Sequence, residues 1–133
     1  MINSRKGGFT LFEIMMGVAI IGVLMGFVMP QINKQMRQLK VRRCSMIMGA
    51  IKQALVGYEL DNGKVPQKAD GGIQALLKGG KYLENEKEIQ DPWGNDIVYN
   101  APPVRFKNKY KKYELYSLGA SGEEDENNID DGQ

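Results

Sequence analysis

The sequence predicts an α+β fold: one long N-terminal helix packed on a small antiparallel sheet, with a short second helix. Three observations carry this reading. An apolar block runs from Phe9 to Met29 and passes without a break into apolar residues at helical spacing as far as Leu60. Asp61-Asn62-Gly63, with Pro66 just beyond, then ends the pattern, because Gly or Asn supplies a left-handed cap and Pro blocks continuation. Two short runs rich in β-branched and aromatic residues, 97–100 and 112–118, follow among turn signals.

The first helix divides by composition. Phe9 to Met29 carries a single charge, Glu13, and its 21 residues match the roughly 20 apolar residues that a bilayer-spanning helix needs. Arg5, Lys6 and the free amine precede it; Lys34, Arg37, Lys40, Arg42 and Arg43 follow it, so both flanks are basic. An apolar block at the very start of a short chain is expected to leave the N-terminus inside and export the rest. A cleaved secretory signal fits poorly: the block is too long, and Val28-Met29-Pro30-Gln31 lacks the small-x-small cleavage pattern. A plain membrane anchor fits the length but not Glu13, since a carboxylate in a spanning helix costs a few kcal/mol or more unless paired or protonated. Gly17, Gly22 and Gly26 lie inside the block; the GxxxG spacing of the last two suits close helix approach, and equally the glycines that membrane helices tolerate. Pro30 is expected to kink or locally open the helix. Beyond it, Ile32, Met36 and Leu39 form one apolar row, and Cys44, Ile47, Ile51, Leu55 and Tyr58 form another that reads as a core face.

The remaining residues are too few to make a large core alone and should pack on that second row. Gly72 to Lys78 reads as the short second helix, ended by Gly79-Gly80. Asp91-Pro92-Trp93-Gly94-Asn95 is a turn, with Trp93 as a core or loop anchor. From Arg105 to Tyr113 basic residues alternate with others, which would give a ribbon or loop one cationic face.

Composition narrows the function classes. Eighteen basic and 16 acidic residues give a net charge of +2, which disfavours both a dedicated nucleic-acid binder and an acidic solvating chain. The chain has no His and one Cys, Cys44. Histidine triads, histidine metal sites, internal disulfides and cysteine zinc clusters are therefore excluded. With no nucleophile–base pair and no phosphate loop visible, an enzyme is not expected.

Gly7-Gly8-Phe9-Thr10-Leu11-Phe12-Glu13, behind a basic leader and ahead of an apolar run, resembles the prepilin-peptidase site of type IV pilins and type II secretion pseudopilins. The resemblance implies cleavage between Gly8 and Phe9 on the cytoplasmic side and N-methylation of Phe9. A small residue before the cut suits a tight protease cleft. The new amine at Phe9 and the Glu13 carboxylate are each costly alone beside hydrocarbon, and each can neutralise the other. In the family's assembly model Glu13 of an incoming subunit pairs with the Phe9 amine of a neighbour. Loss of the leader also removes Arg5 and Lys6, leaving basic and acidic side chains equal in number.

Further motifs follow in order: Tyr58 to Pro66, Gly72 to Leu76, Asp91 to Asn95, and Tyr116-Ser117-Leu118-Gly119-Ala120. Together with the leader they resemble the major pseudopilins of type II secretion. The expected organisation is a leader, 1–8; a membrane-spanning and filament-core half-helix, 9–30; and a periplasmic domain, 31–133. The implied fold is type IV pilin-like. The implied role is a structural subunit, anchored by a single span in a bacterial inner membrane and then polymerised into a periplasmic filament that helps drive folded proteins through an outer-membrane secretin. The implied partners are further copies of the chain, the prepilin peptidase, an inner-membrane platform protein, an assembly ATPase and minor pseudopilins. In this family the loop after Ser-Leu-Gly-Ala binds calcium, but Ser121 stands where an Asp is usual. The Leu118 carbonyl, Asp125 and Asp130 are the candidate calcium ligands, and a solvated acidic tail is the alternative. Two other functional readings stay open: a pilin-like subunit of another filament, for adhesion, motility or DNA uptake, and a membrane-anchored module that binds nucleic acid through its five basic residues between 105 and 112. The acidic C-terminus beside that stretch opposes the second.

Overall fold

A computed structural model describes residues 7–124 and 128–130. The chain forms two units, divided after Arg37. Helix α1, Leu11–Asn62, belongs in part to each and is continuous through Pro30. The ring at Pro30 removes an N–H, so the carbonyl four residues earlier, at Gly26, lacks its intrahelical donor.

In the first unit α1 is apolar and bare. From Gly7 to Leu39 every residue except Gly17 is exposed. This stretch makes α1 the one helix among the described residues long and apolar enough to cross a membrane.

In the second unit the same helix becomes one wall of a core. Cys44, Met48, Ile51, Ala54 and Leu55 are its buried residues, with Ile47 and Tyr58 packed beside them. The row read from sequence is thus the core face, widened by Met48 and Ala54. Each fully buried aliphatic side chain contributes about 1.5–3 kcal/mol. Across the core lie Leu76, Leu83, Ile89, Ile97 and Leu115. Helix α1 ends where the Gly and Asn signals put the stop: Gly63 adopts φ 76° and its N–H donates to the Glu59 carbonyl at 2.7 Å.

The expected second helix is present as a 3-10 segment, Gly72–Gly80, rather than an α-helix. Its pattern is short, and Lys78 (ψ 115°) and Gly79 (φ 72°) already leave helical geometry inside it, so no run long enough to repay α-helical nucleation exists. Two shorter 3-10 turns, Lys68–Asp70 and Glu86–Ile89, flank it.

The sheet has three antiparallel strands in the order β1-β2-β3: β1 Val98–Asn100, β2 Glu114–Ser117 and β3 Ile129–Asp130. Register pairs Val98 with Tyr116, Asn100 with Glu114, and Tyr116 with Asp130. All four residues of β2 are buried, so the sheet is covered on both faces. Alternation along a strand sends Leu115 and Ser117 to one face, Glu114 and Tyr116 to the other. Leu115 joins the helix core. Tyr116 is covered by Phe106, ring to ring at 5.6 Å, and by the Arg105 guanidinium at 5.4 Å. The basic stretch is therefore the loop, of the two alternatives, and it lies over the sheet.

Candidate functional site

Two places carry the residues singled out in the sequence: the start of α1 and the loop after β2.

At the start of α1, Thr10 and Glu13 form a reciprocal cap. The Thr10 N–H donates to Glu13 Oε2 at 2.9 Å, and the Glu13 N–H donates to Thr10 Oγ1 at 3.2 Å. This is a capping box, and it satisfies orphan donors of the first helical turn. The Glu13 carboxylate also sits at the positive end of the helix. Even a plain anchor therefore gains from Glu13, about 1 kcal/mol for a good cap, which offsets part of the cost that sets this residue at odds with a plain anchor. The Thr-x-x-Glu spacing is visible at 10–13, where Glu13 was read as a charge in the span and as part of the cleavage and assembly motif, not as half of a cap.

Phe9 is 86% exposed, and Gly7, Gly8, Phe9 and Glu13 line one shallow open concavity. Neither Gly7 nor Gly8 has a positive φ, and a Cβ built on either meets nothing within 4 Å. The fold itself makes no demand for glycine at these positions. Arg5 and Lys6 lie outside the described residues.

The loop after β2 is held from two sides. On one side stands the Asp91–Asn95 turn. Asp91 is buried, and its Oδ1 accepts from the N–H groups of Trp93 (3.0 Å) and Asn95 (2.9 Å). Its Oδ2 accepts from the Ser117 hydroxyl at 2.7 Å. Asn95 Nδ2 reaches on to the Gly119 carbonyl at 2.9 Å. The turn motif therefore fixes both the end of β2 and the first residues of the loop.

On the other side stands the basic stretch. Glu114 is fully buried and organises it: the carboxylate accepts from the N–H groups of Arg105 and Phe106, at 2.9 and 2.8 Å, and from Asn100 Nδ2 at 2.7 Å. Burial alone would push its pKa up, and it is the largest single influence. The donors together outweigh it and hold the carboxyl below its ordinary range. The loop so shaped carries Arg105, which donates to Asn128 Oδ1, and Lys109, whose ammonium lies 2.5 Å from Asp130 Oδ2.

The calcium candidates are placed as follows. The Leu118 carbonyl accepts from Ser121 Oγ at 3.0 Å and from Asn128 Nδ2 at 3.2 Å. Asp130 faces Lys109. Asp125 lies outside the described residues. Among the described residues no three acidic or Cys side chains come close enough to share an ion. The structure also brings to the loop Lys109 and Arg105, which sequence reading did not connect to it. Their only signal was the excess of basic residues in 105–112.

Cys44 and Ser117 have no solvent exposure. Burial pushes the Cys44 thiol up, against a smaller opposing effect of a hydrogen bond with Ser117.

Two family models match the chain. Residues 31–131 match the family described as type II secretion system (T2SS), protein G, and residues 3–29 match the prokaryotic N-terminal methylation motif. Among curated relatives, the type II secretion system core protein G of Pseudomonas aeruginosa is 37% identical over 134 residues, covering 93% of this chain and 90% of the relative. The protein of the same name from Escherichia coli is 31% identical, covering 91% of this chain and 86% of its own length. That from Vibrio cholerae is 30% identical, covering 90% and 84%.

Proposed function

The chain belongs to the type II secretion system protein G family and is a structural pseudopilin subunit, and from that premise we propose how it is processed and assembled. The prepilin peptidase cuts between Gly8 and Phe9, the Phe9 amine is methylated, and the mature chain waits in the inner membrane with its globular part in the periplasm. Copies then polymerise, with a platform protein, an assembly ATPase and minor pseudopilins as partners, and the filament pushes folded proteins toward a secretin.

The observation that carries this reading is the bare apolar length of α1. Phe12 is 74% exposed, Val18 65% and Phe27 71%, and nothing in the described chain covers them. Water does not tolerate a patch of that size. Lipid covers it first, and the same helix of neighbouring copies covers it afterwards. A Cβ built at Gly17, Gly22 or Gly26 meets nothing within 4 Å, which leaves these positions open for close helix approach. Identical head-to-tail contacts then generate an open helical polymer. Pro30 weakens the helix where one environment gives way to the other.

Glu13 has two duties in this scheme. In the precursor it caps its own helix. After cleavage the Phe9 amine of a neighbouring copy competes for it, and that pair sets the axial register.

Intact mass of membrane-extracted protein tests the processing. Loss of residues 1–8 and gain of one methyl group is expected only when the peptidase is present; an uncut chain in its presence refutes the scheme. Glu13→Gln tests the second duty, since Gln keeps an acceptor for the Thr10 N–H but loses the charge. The variant is expected to be cut normally yet to form no filaments. Normal filaments would mean that the cap alone matters.

A further inference from the structure

We propose that the C-terminal loop is closed by side chains of the basic segment 105–112 in place of a divalent cation: Lys109 holds Asp130, Arg105 holds Asn128, and Asn128 in turn ties the Leu118 and Glu123 carbonyls together. The inference rests on hydrogen bonds and an ion pair within the second unit and stands apart from the filament reading.

A calcium ion draws a loop closed by collecting six to eight oxygens at short range, carboxylates and carbonyls that would otherwise repel one another. Among the described residues, the candidate oxygens, the Leu118 carbonyl and the Asp130 carboxylate, are already met by protein donors. The Leu118 carbonyl takes the Ser121 hydroxyl and the Asn128 amide, at 3.0 and 3.2 Å. The same amide donates to the Glu123 carbonyl at 2.8 Å, bridging five residues of loop. Glu124 Oε1 accepts from the Tyr116 hydroxyl at 2.5 Å. Asp130 receives an ammonium, and the Asn128 side-chain carbonyl receives a guanidinium. For a cation to coordinate Leu118 O or Asp130, it would have to displace these groups, with Lys109 carrying like charge at the site.

Two substitution-level features agree with this. Ser121 is a hydroxyl that donates, where a carboxylate would only accept. Five basic residues lie in 105–112, the segment that Glu114 folds over β2 and toward β3. Glu114 fixes the backbone at Arg105 and Phe106, and that placement aims Arg105 and, at the far end of the turn, Lys109 at the loop. Lys109 is partly exposed, so the pair it makes is one strand of a net; the amide bridges supply the rest.

The test uses the full chain purified in detergent, melted with calcium chloride or with a chelator, as wild type and as Lys109→Gln. Wild-type Tm is expected to be the same in both buffers. Lys109→Gln is expected to melt about 4 °C lower in both. A wild-type Tm that rises by that much or more in calcium overturns the proposal, and so does a Lys109→Gln chain that melts like wild type. Should the variant fail to fold, cleavage of the wild-type chain by a glutamate-specific protease at Glu123 and Glu124 decides. Equal rates in calcium and chelator are expected; a tenfold slowing by calcium overturns the proposal.

Discussion

The two halves of α1 use the same residue types for opposite ends. Met16 is 56% exposed and Met48 1%; Ile20 is 53% exposed and Ile51 0%. Propensity does not separate them, because both halves are helical and rich in Leu, Ile and Met. What separates them is who supplies the partner surface. Past Arg43 the chain supplies it, through Leu76, Ile97, Leu115 and their neighbours. Before Gln38 the described residues supply none. The lesson is that an apolar helix face reports a need for burial and leaves the location of the other surface to the rest of the sequence. A segment whose apolar residues go all round has its partner outside the chain; one with a single apolar row has it inside.

The largest expected effect breaks the comparison directly. Ile51→Ala leaves a hole in a closed core and is expected to cost about 3 kcal/mol. Ile20→Ala removes the same atoms from an exposed position and is expected to leave unfolding of the second unit unchanged. Urea unfolding of both full-length variants in detergent, followed by Trp93 fluorescence, compares them. Equal shifts would mean that the two halves share one cooperative structure and that the contrast drawn here is wrong.

Much of this division was legible beforehand. Apolar density alone marked out Phe9 to Met29, and a three-and-four spacing marked Cys44, Ile51 and Leu55 as core. The Gly63 stop was legible because only a few residue types tolerate a left-handed cap. The two longer strands were found with ragged ends. Strand β3 was missed: Ile129 and Asp130 form a two-residue strand among polar and acidic neighbours, with no period to detect. Gly8, Phe9 and Glu13, proposed for processing and assembly, stood out as a motif, but the Thr10–Glu13 cap inside it went unread. The loop clasp was illegible for a different reason. Lys109 and Asp130 are 21 residues apart, and no local rule links a basic turn to a distant acid. Only the path that buried Glu114 imposes on residues 104–106 brings them together.

Glu114 sharpens the comparison from the polar side. The first half of α1 places its one carboxylate, Glu13, in a local cap; the second unit buries one completely and surrounds it with donors. Glu114→Gln replaces one accepting oxygen with an amide N–H₂ in a site where the Arg105 and Phe106 N–H groups both need an acceptor, and is expected to cost about 2 kcal/mol. The pH dependence follows from the lowered pKa. A carboxyl held below its ordinary range stabilises the fold at pH values above its unfolded pKa, and that contribution is lost as pH falls through the folded value. Wild type is therefore expected to lose Tm on acidification below about pH 4.3, the ordinary Glu value, and Glu114→Gln to lose less over the same interval. A parallel fall in both chains would assign the acid sensitivity to other carboxylates.

The smallest effect concerns Cys44, the first buried residue of α1. Its sulfur fills a core position and has no solvent exposure, so Cys44→Ala is expected to cost about 1 kcal/mol, the loss of one small apolar group. Its thiol pKa is raised, chiefly by burial, and a thiol that is both buried and protonated is a poor nucleophile. A water-soluble thiol reagent is therefore expected to leave the native chain unlabelled at neutral pH and to label it fully in urea. A cysteine engineered at Met36, on the exposed side of the same helix at 52%, is expected to react at once in either condition. The pair of rates maps where along α1 the chain stops relying on outside partners and starts covering itself. If Cys44 in the native chain reacted as fast as the Met36→Cys site, that boundary would have to move toward the C-terminus of the helix, and the core face would begin at Met48.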